Sequence, residues 1–163
     1  MSELIKEEEI LKEIKDKFFE AVENAIIQRK ERIWIDVSEN KKLEIMKYLK
    51  ERGYYHLSTI SGFDEGEKLG AIYHITNHKI IINLRVRTPK ESPVLKSVLP
   101  VYPSATSYER EIEDLFGIKI EGLPPGRNYP LPEGFPKGVH PLRKDVKLEE
   151  LNKMLDEKCA KEE

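Results

Sequence analysis

The densest group of side chains able to do chemistry is acidic: Glu109, Glu111, Glu113 and Asp114 fall within six consecutive positions. Paired carboxylates of this kind could exchange protons as general acid and base, or gather around a cation. The spacing of their neighbours argues against both. Tyr108, Ile112, Leu115 and Phe116 stand at offsets of zero, four, seven and eight, the apolar stripe of an amphipathic helix. Glu109, Glu113 and Arg110 are therefore expected on or near its exposed side, where an acidic face is solvated and an acid in the first turn is favoured by the helix dipole.

Other chemistries need partners that the sequence does not bring together. His74 and His78 are four apart, but the surrounding pattern puts them on a strand and its turn with no cysteine pair nearby. A structural zinc site needs four converging nitrogen or sulfur ligands. Cys159, the sole cysteine, sits in a charged C-terminal stretch with no local histidine or helix N-terminus to activate its thiol. Gly117, Gly122, Gly126, Gly134 and Gly138 match neither common phosphate-binding fingerprint and precede no Lys-Ser or Lys-Thr pair. A nucleophile elbow is missing too, since no serine is flanked by glycines two positions away on both sides. No catalytic, cofactor-binding or metal-ligating residue is assigned to this chain.

A second charged stretch has the opposite sign. Residues 126–147 carry Arg127, Lys137, Arg143, Lys144 and Lys147 against Glu133 and Asp145. Six prolines between positions 118 and 146 stiffen it, and a stiff arm loses little entropy when it wraps a partner of complementary charge. Packing of the arm on its own domain is the alternative. The strand face with Arg85 and Arg87 raises RNA binding as another, yet it offers no pair of exposed aromatics on which bases would stack.

Of the 163 residues, 39% are hydrophobic and 36% charged, proportions of a water-soluble single domain able to bury a core without disulfides or metals. Basic residues number 28 and acidic ones 30, so no global field draws the chain to nucleic acid or anionic lipid, and partner choice must be local. No apolar run reaches membrane-spanning length. Residues 1–9 hold four Glu and one Lys and lack the apolar core of a secretory signal. A cytoplasmic location is expected, in keeping with the lone cysteine.

The elements needed to position the acidic helix and the basic arm read as an α+β domain. Residues 4–28 place Leu11, Ile14, Phe18, Val22, Ala25 and Ile26 at steps of three and four, predicting one long amphipathic helix. Ile33, Ile35 and Val37 alternate with Arg32, Trp34 and Asp36 as a strand does. Leu43, Met46 and Leu49 mark a second helix ending at Gly53. Residues 54–63 form a strand whose alternation slips near Ser58 and Thr59, a bulge signal. Leu69, Ala71, Tyr73 and Ile75, then Ile80, Ile82, Leu84 and Val86, predict a hairpin turning at Asn77 and His78. Ser92 and Pro93 are expected to open a short helix reaching Leu99. Thr106 is expected to cap a longer one, with Glu109 reaching back in a capping box and Gly117 as the stop. Together these give a mainly antiparallel sheet with helices packed on one face over residues 1–118, an extended Pro/Gly-rich docking arm over 119–147, and a C-terminal helix over 148–163.

Four blocks in fixed order are more specific than any of these patterns: Leu95-Lys96-Ser97-Val98, Tyr102-Pro103-Ser104-Ala105, Tyr108-Glu109-Arg110-Glu111-Ile112-Glu113-Asp114-Leu115-Phe116-Gly117-Ile118, and His140-Pro141-Leu142-Arg143-Lys144-Asp145. The chain resembles the thirty-kilodalton subunit family of respiratory NADH dehydrogenase (complex I), shared with energy-converting membrane-bound hydrogenases. That resemblance implies a non-catalytic subunit of a peripheral arm on the cytoplasmic face of the membrane. It would be held against a hydrogenase-like large subunit and near iron–sulfur subunits, with no cofactor of its own. Iron–sulfur clusters, or nickel–iron, would belong to those partners. The interface residues it implies are Glu109, Arg110, Glu111, Asp114, Phe116, Gly117, Arg127, His140, Pro141, Leu142, Arg143, Lys144 and Asp145.

One departure separates branches of the family. Where quinone-reducing members show His-Pro-Asp-Leu-Arg-Arg soon after the Phe-Gly pair, this chain reads Leu123-Pro124-Pro125-Gly126-Arg127-Asn128-Tyr129. The departure favours a ferredoxin-linked hydrogenase or sulfur-reducing relative, with an NADH:quinone oxidoreductase subunit as the alternative and a free-standing RNA-binding module as the second. Lys and Glu dominate the charge and Gln28 is the sole Gln, a bias of proteins from very hot environments, where ion-pair networks gain weight. Scanning calorimetry is expected to place the melting midpoint above the mesophile range of about 45–65 °C; a midpoint inside it removes the thermophile reading.

Overall fold

A computed structural model describes residues 5–127 and 129–162. Leu4, the expected start of the first helix, Asn128, and the side chain of Cys159 lie outside the described residues. The first long helix is divided. Helix α1, Ile5–Lys17, stops where the amides of Ala21 and Val22 both bond to the Phe18 carbonyl, and strand β1, Val22–Arg29, follows. Val22, Ala25 and Ile26 satisfy helical spacing, but pairing with β2, Arg32–Val37, decides their conformation. Ile27 then turns toward the core while Ile26 is left half exposed. β-Branched residues favour such a pleated, half-buried strand.

Helix α2, Lys42–Glu51, ends ahead of Gly53, whose φ of 91° makes the left-handed turn-off. Strands β3, His56–Asp64, β4, Lys68–Thr76, and β5, Ile81–Pro89, complete a five-stranded sheet in the order β1-β2-β5-β4-β3. Every neighbouring pair is antiparallel except β2–β5. The expected irregularity in β3 is a register shift between Leu57 and Thr59.

The expected short helix after Pro93 is instead strand β6, Val94–Lys96, paired in parallel with β7, Lys119–Glu121. Tertiary acceptors claim the amides that a helix would have used. Val94 N–H donates to Thr88 Oγ1 (3.1 Å), Lys96 N–H to Glu39 Oε1 (2.6 Å), and Ser97 N–H to the Glu121 carbonyl (2.8 Å). Helix α3, Thr106–Phe116, lies between these two strands in sequence, and α4, Leu148–Glu162, closes the chain. Among the described residues from β7 to α4 there are turns and bends only.

Helices α1 to α3 share one face of the sheet. Ile14, Ile45, Met46 and Leu49 pack with Ile33, Ile35, Ile75, Ile82 and Leu84 in a fully buried core. The Phe116 ring fills the space a side chain at Gly62 would need, which lets α3 rest close on β3. A cation enters this core: Lys42 is fully buried, its Nζ donating to Lys96 O (2.6 Å) and Tyr73 Oη (3.1 Å) and pairing with Glu39 at 3.1 Å. Burial pushes the Lys42 pKa down, and the Glu39 carboxylate opposes that. Lys42 thus joins α2, β4 and β6. Lys42→Ala is expected to cost about 3 kcal/mol in denaturant unfolding, because it strands the Lys96 carbonyl and the Glu39 carboxylate; an unchanged midpoint would mean that β6 is held without it.

Candidate docking surface

Helix α3 and the segment after β7 gather most of the residues that the family resemblance implies, but not in the orientations expected. The capping box does not form. Ala105 is the N-cap in helical geometry, following a 3-10 turn at Pro103–Ala105, and no side-chain cap bond is made. Proline at the start of that turn already holds the chain in helical φ, so Thr106 enters the helix rather than capping it. Glu109 is buried, 1% exposed, instead of solvated. Its carboxylate accepts from Ser97 Oγ (2.7 Å) and Val98 N–H (2.6 Å). Burial raises the Glu109 pKa, and these two hydrogen bonds and the nearby Lys42 charge pull it back.

A signal for this burial was present in the sequence. Glu109, Ile112 and Phe116 are three and four apart, and these are the buried residues of α3. Tyr108 and Leu115 are only partly covered, so the apolar face is rotated by about one residue from the stripe centred on Tyr108. Lys42, Glu39, Asp64 and Lys90, which also hold the surface in place, carry no local signal for that role, because the contacts that do the holding, to Lys96, Lys144 and Asp145 and between Asp64 and Lys90, join residues distant in sequence.

At the other end of α3 the tail supplies the helix cap. Gly117 adopts φ 65°, and its amide bonds to the Glu113 carbonyl. The next four carbonyls, orphans at any helix C-terminus, are each taken. His140 Nδ1 donates to Asp114 O (2.8 Å), Leu142 N–H to Leu115 O (3.1 Å), Arg143 Nε to Phe116 O (2.6 Å) and Arg143 Nη2 to Gly117 O (3.3 Å). The Arg143 charge is also favourable at the negative end of the helix dipole. A side chain at Gly117 would overlap the His140 ring and the Arg143 guanidinium. Further along, Arg110 Nη2 donates to Pro124 O (2.6 Å), and the Asp114 carboxylate accepts from Tyr129 N–H (2.6 Å).

Beyond the cap, the tail is fastened to the sheet. Asp64 Oδ2 accepts from Lys144 N–H (2.9 Å) and Lys90 Nζ (2.9 Å), Asp64 Oδ1 accepts from Gly66 N–H (2.7 Å), and Lys90 also reaches Asp145 Oδ1 (3.0 Å). Burial alone would raise the Asp64 pKa, but these donors outweigh it and hold the carboxyl down at about 2.

The residues that the family resemblance implies for an interface divide accordingly. Glu109, Phe116, Gly117, His140 and Arg143 are spent on internal contacts. Arg127, Leu142, Lys144 and Asp145 are exposed, and Glu111 and Pro141 are partly so. Large apolar side chains accompany the exposed set. Of the seven that the described residues expose, four, Tyr129, Leu142, Leu148 and Met154, lie on the C-terminal segment.

The other chemistries weighed from the sequence meet ordinary structural roles. His74 bonds Asn83 Oδ1 (2.7 Å) and Ser61 Oγ (3.1 Å), while His78 stacks on His56. Among the described residues no three His, Cys, Asp or Glu side chains converge as metal ligands. Arg85 and Arg87 both pair with Asp36, at 2.7 and 3.2 Å, and Arg87 also with Glu65 at 2.8 Å. That sheet face therefore has little free charge to offer a phosphate backbone.

The α+β sheet with its helices on one face is the fold of a known class of subunit. Residues 35–152 match the family described as the 30-kilodalton subunit of respiratory-chain NADH dehydrogenase, and the chain belongs to that family. It is 37% identical over 141 residues to one of the subunits of the F420H2 dehydrogenase of Methanosarcina mazei, covering 83% of this chain and 89% of that one. It is 32% identical over 150 residues to the beta subunit of the membrane-bound hydrogenase of Pyrococcus furiosus, covering 87% of each. Among solved structures, a chain of the membrane-bound sulfane sulfur reductase, an archaeal respiratory membrane complex, superposes with a TM-score of 0.76 at 25% identity, over 93% of this chain and 92% of that one. The trypsin-resistant fragment of Nqo5 gives 0.65 at 26% identity, over 75% of this chain and all of the fragment. No helix among the described residues is long and apolar enough to cross a membrane.

The tail anchor has a pH signature. Asp64 has its pKa depressed on folding, so its contribution is fully present above the unfolded value near 3.8 and is lost as pH falls through about 2. Glu109, with its pKa raised, contributes in the opposite sense. Asp64→Asn is expected to flatten the acid limb of the stability profile between pH 4 and 2 by about 2 kcal/mol; an unchanged limb in denaturant titrations would show that Asp64 does not anchor the tail.

Proposed function

We propose that this chain is a non-catalytic peripheral-arm subunit of a complex I-related, membrane-bound oxidoreductase of the ferredoxin-linked hydrogenase or sulfur-reducing type. It docks on the hydrogenase-like large subunit beside the iron–sulfur subunits, on the cytoplasmic face of the membrane, and attaches to the membrane through them. The observation that carries this is the C-terminal segment. Its polar groups are used to cap α3 and to fasten the tail to Asp64, while Leu142, Leu148 and Met154 stay 53%, 70% and 46% exposed. A surface whose 140–145 stretch is held by its own domain and which is apolar in patches suits association, because little entropy of that stretch remains to be lost on binding. The redox groups, iron–sulfur clusters and in the hydrogenase branch nickel–iron, belong to the partner subunits in this reading. The hydrogenase and sulfane sulfur reductase relatives support that branch.

The chain's contribution is then geometric. It clamps the electron-carrying subunits in register and takes no part in bond making. The test is co-purification from native membranes using a tagged chain. Arg127→Glu, Leu142→Asp and Lys144→Glu alter exposed side chains only, so the melting midpoint should hold while recovery of the large subunit falls about tenfold or more. Recovery at the level of the unaltered chain would overturn the docking assignment.

A further inference from the structure

The opposite side of the sheet carries a second set of unused groups. Strand β1 is terminal in the sheet order, so its outer backbone groups face no strand among the described residues and could accept one. Its surroundings differ in chemistry from end to end. Phe19, just before the strand, is 82% exposed, and Ile26 within it is 50% exposed. At the far end, Arg29, Lys30, Arg32 and Lys79, with Glu31 and Ile81, line a cleft of about 440 Å3. Four cations surround this cleft against one carboxylate, in a chain whose net charge is −2.

Three of these cations are not neutralised internally. Arg29 and Arg32 are direct cross-strand partners, an arrangement of like charges that costs stability. Arg29, Arg32 and Lys79 have no ion-pair partner among the described residues, in contrast to Arg85 and Arg87 on the same sheet. The cleft is also preorganised. Glu31 sits at φ 63°, its amide donates to the buried Glu7 carboxylate (2.7 Å), and its carbonyl accepts from Ile81 N–H (2.9 Å). Basic side chains along an edge strand can simply deter edge pairing. Here they gather at one end, and Lys79 comes from a different hairpin, so they form a concave site instead of a guarded edge.

We propose that the β1 edge is a second docking surface, taking an extended segment of a neighbouring subunit as a sixth strand, with its apolar side chains beside Ile26 and Phe19 and an acidic continuation, past the end of the ladder, turned around the β1–β2 turn into the basic cleft. This rests on the reading of the chain as one subunit of a multisubunit complex. The backbone ladder supplies affinity, and the cleft fixes direction and register by charge.

The experiment is photo-cross-linking in the purified complex with p-benzoylphenylalanine in place of Ile26, followed by peptide identification. Hydrogen exchange of residues 22–29 is measured alongside, in the complex and in the isolated full chain. The expected cross-link is to an extended stretch of another subunit that continues into acidic residues, with exchange slowed about tenfold or more in the complex. Arg29→Glu, Arg32→Glu and Lys79→Glu together should lower the cross-link yield about fivefold, while the C-terminal surface keeps the chain in the complex. A cross-link to a segment that continues into basic or neutral residues, to lipid or to a second copy of this chain overturns the proposal. So does unchanged exchange in an intact complex. If no partner subunit co-purifies at all, the docking reading and this proposal fall together.

Discussion

The Glu109 carboxylate is the point on which everything C-terminal to the five-stranded sheet depends. It is a buried acid that receives one hydroxyl and one backbone amide, from Ser97 and Val98, just where β6 ends. A carboxylate taken out of water at this depth persists only if its lone pairs are met, and the segment 94–98 meets them by running alongside α3. Lys42 secures the same segment from beneath, through the Lys96 carbonyl. With β6 fixed, β7 has a strand to pair with, and the residues beyond β7 leave the domain at a defined place.

That origin matters because the tail must return to the C-terminus of α3. Three residues of the His140-to-Asp145 hexapeptide satisfy four successive carbonyls there, two of them through a single guanidinium. The hexapeptide that carries part of the family resemblance therefore has a structural role within this chain. Capping α3 and presenting a docking surface are compatible, because the backbone and the inward side chains do the first while Leu142 and Lys144 are free for the second. A partner would meet a tail already ordered by its own domain.

The sheet separates two unlike edges. At β3, α3 packs on the sheet face, with Phe116 lying on Gly62; at β1 the terminal strand leads to a turn that borders a basic cleft. The open face between them holds a neutralised polar ladder in which Arg85 and Arg87 share Asp36. A subunit with distinct surfaces at its two edges can bridge two neighbours, and near-zero net charge lets each contact be decided locally.

By itself the sequence determined the α+β class, the strands and hairpin over residues 32–37 and 68–89, the α2 helix, the stop at Gly117, and the family, because these follow from periodicity, left-handed glycine positions and ordered motif blocks that are local in the chain. Tertiary structure decided the remainder. Residues 22–29 became a strand because β2 offered a partner, although their spacing also suits a helix. Residues 94–96 became β6 because Thr88, Glu39 and Glu121 took their amides. The acidic helix looked solvated because a carboxylate's cost of burial can be read from its type, whereas the Ser97 and Val98 donors that offset this cost come from a segment placed beside it only by the fold. The same holds for the candidate docking surface. Which of the thirteen candidate residues face inward depends on where the tail crosses α3, and that crossing is set by hydrogen bonds between residues 26 to 80 positions apart.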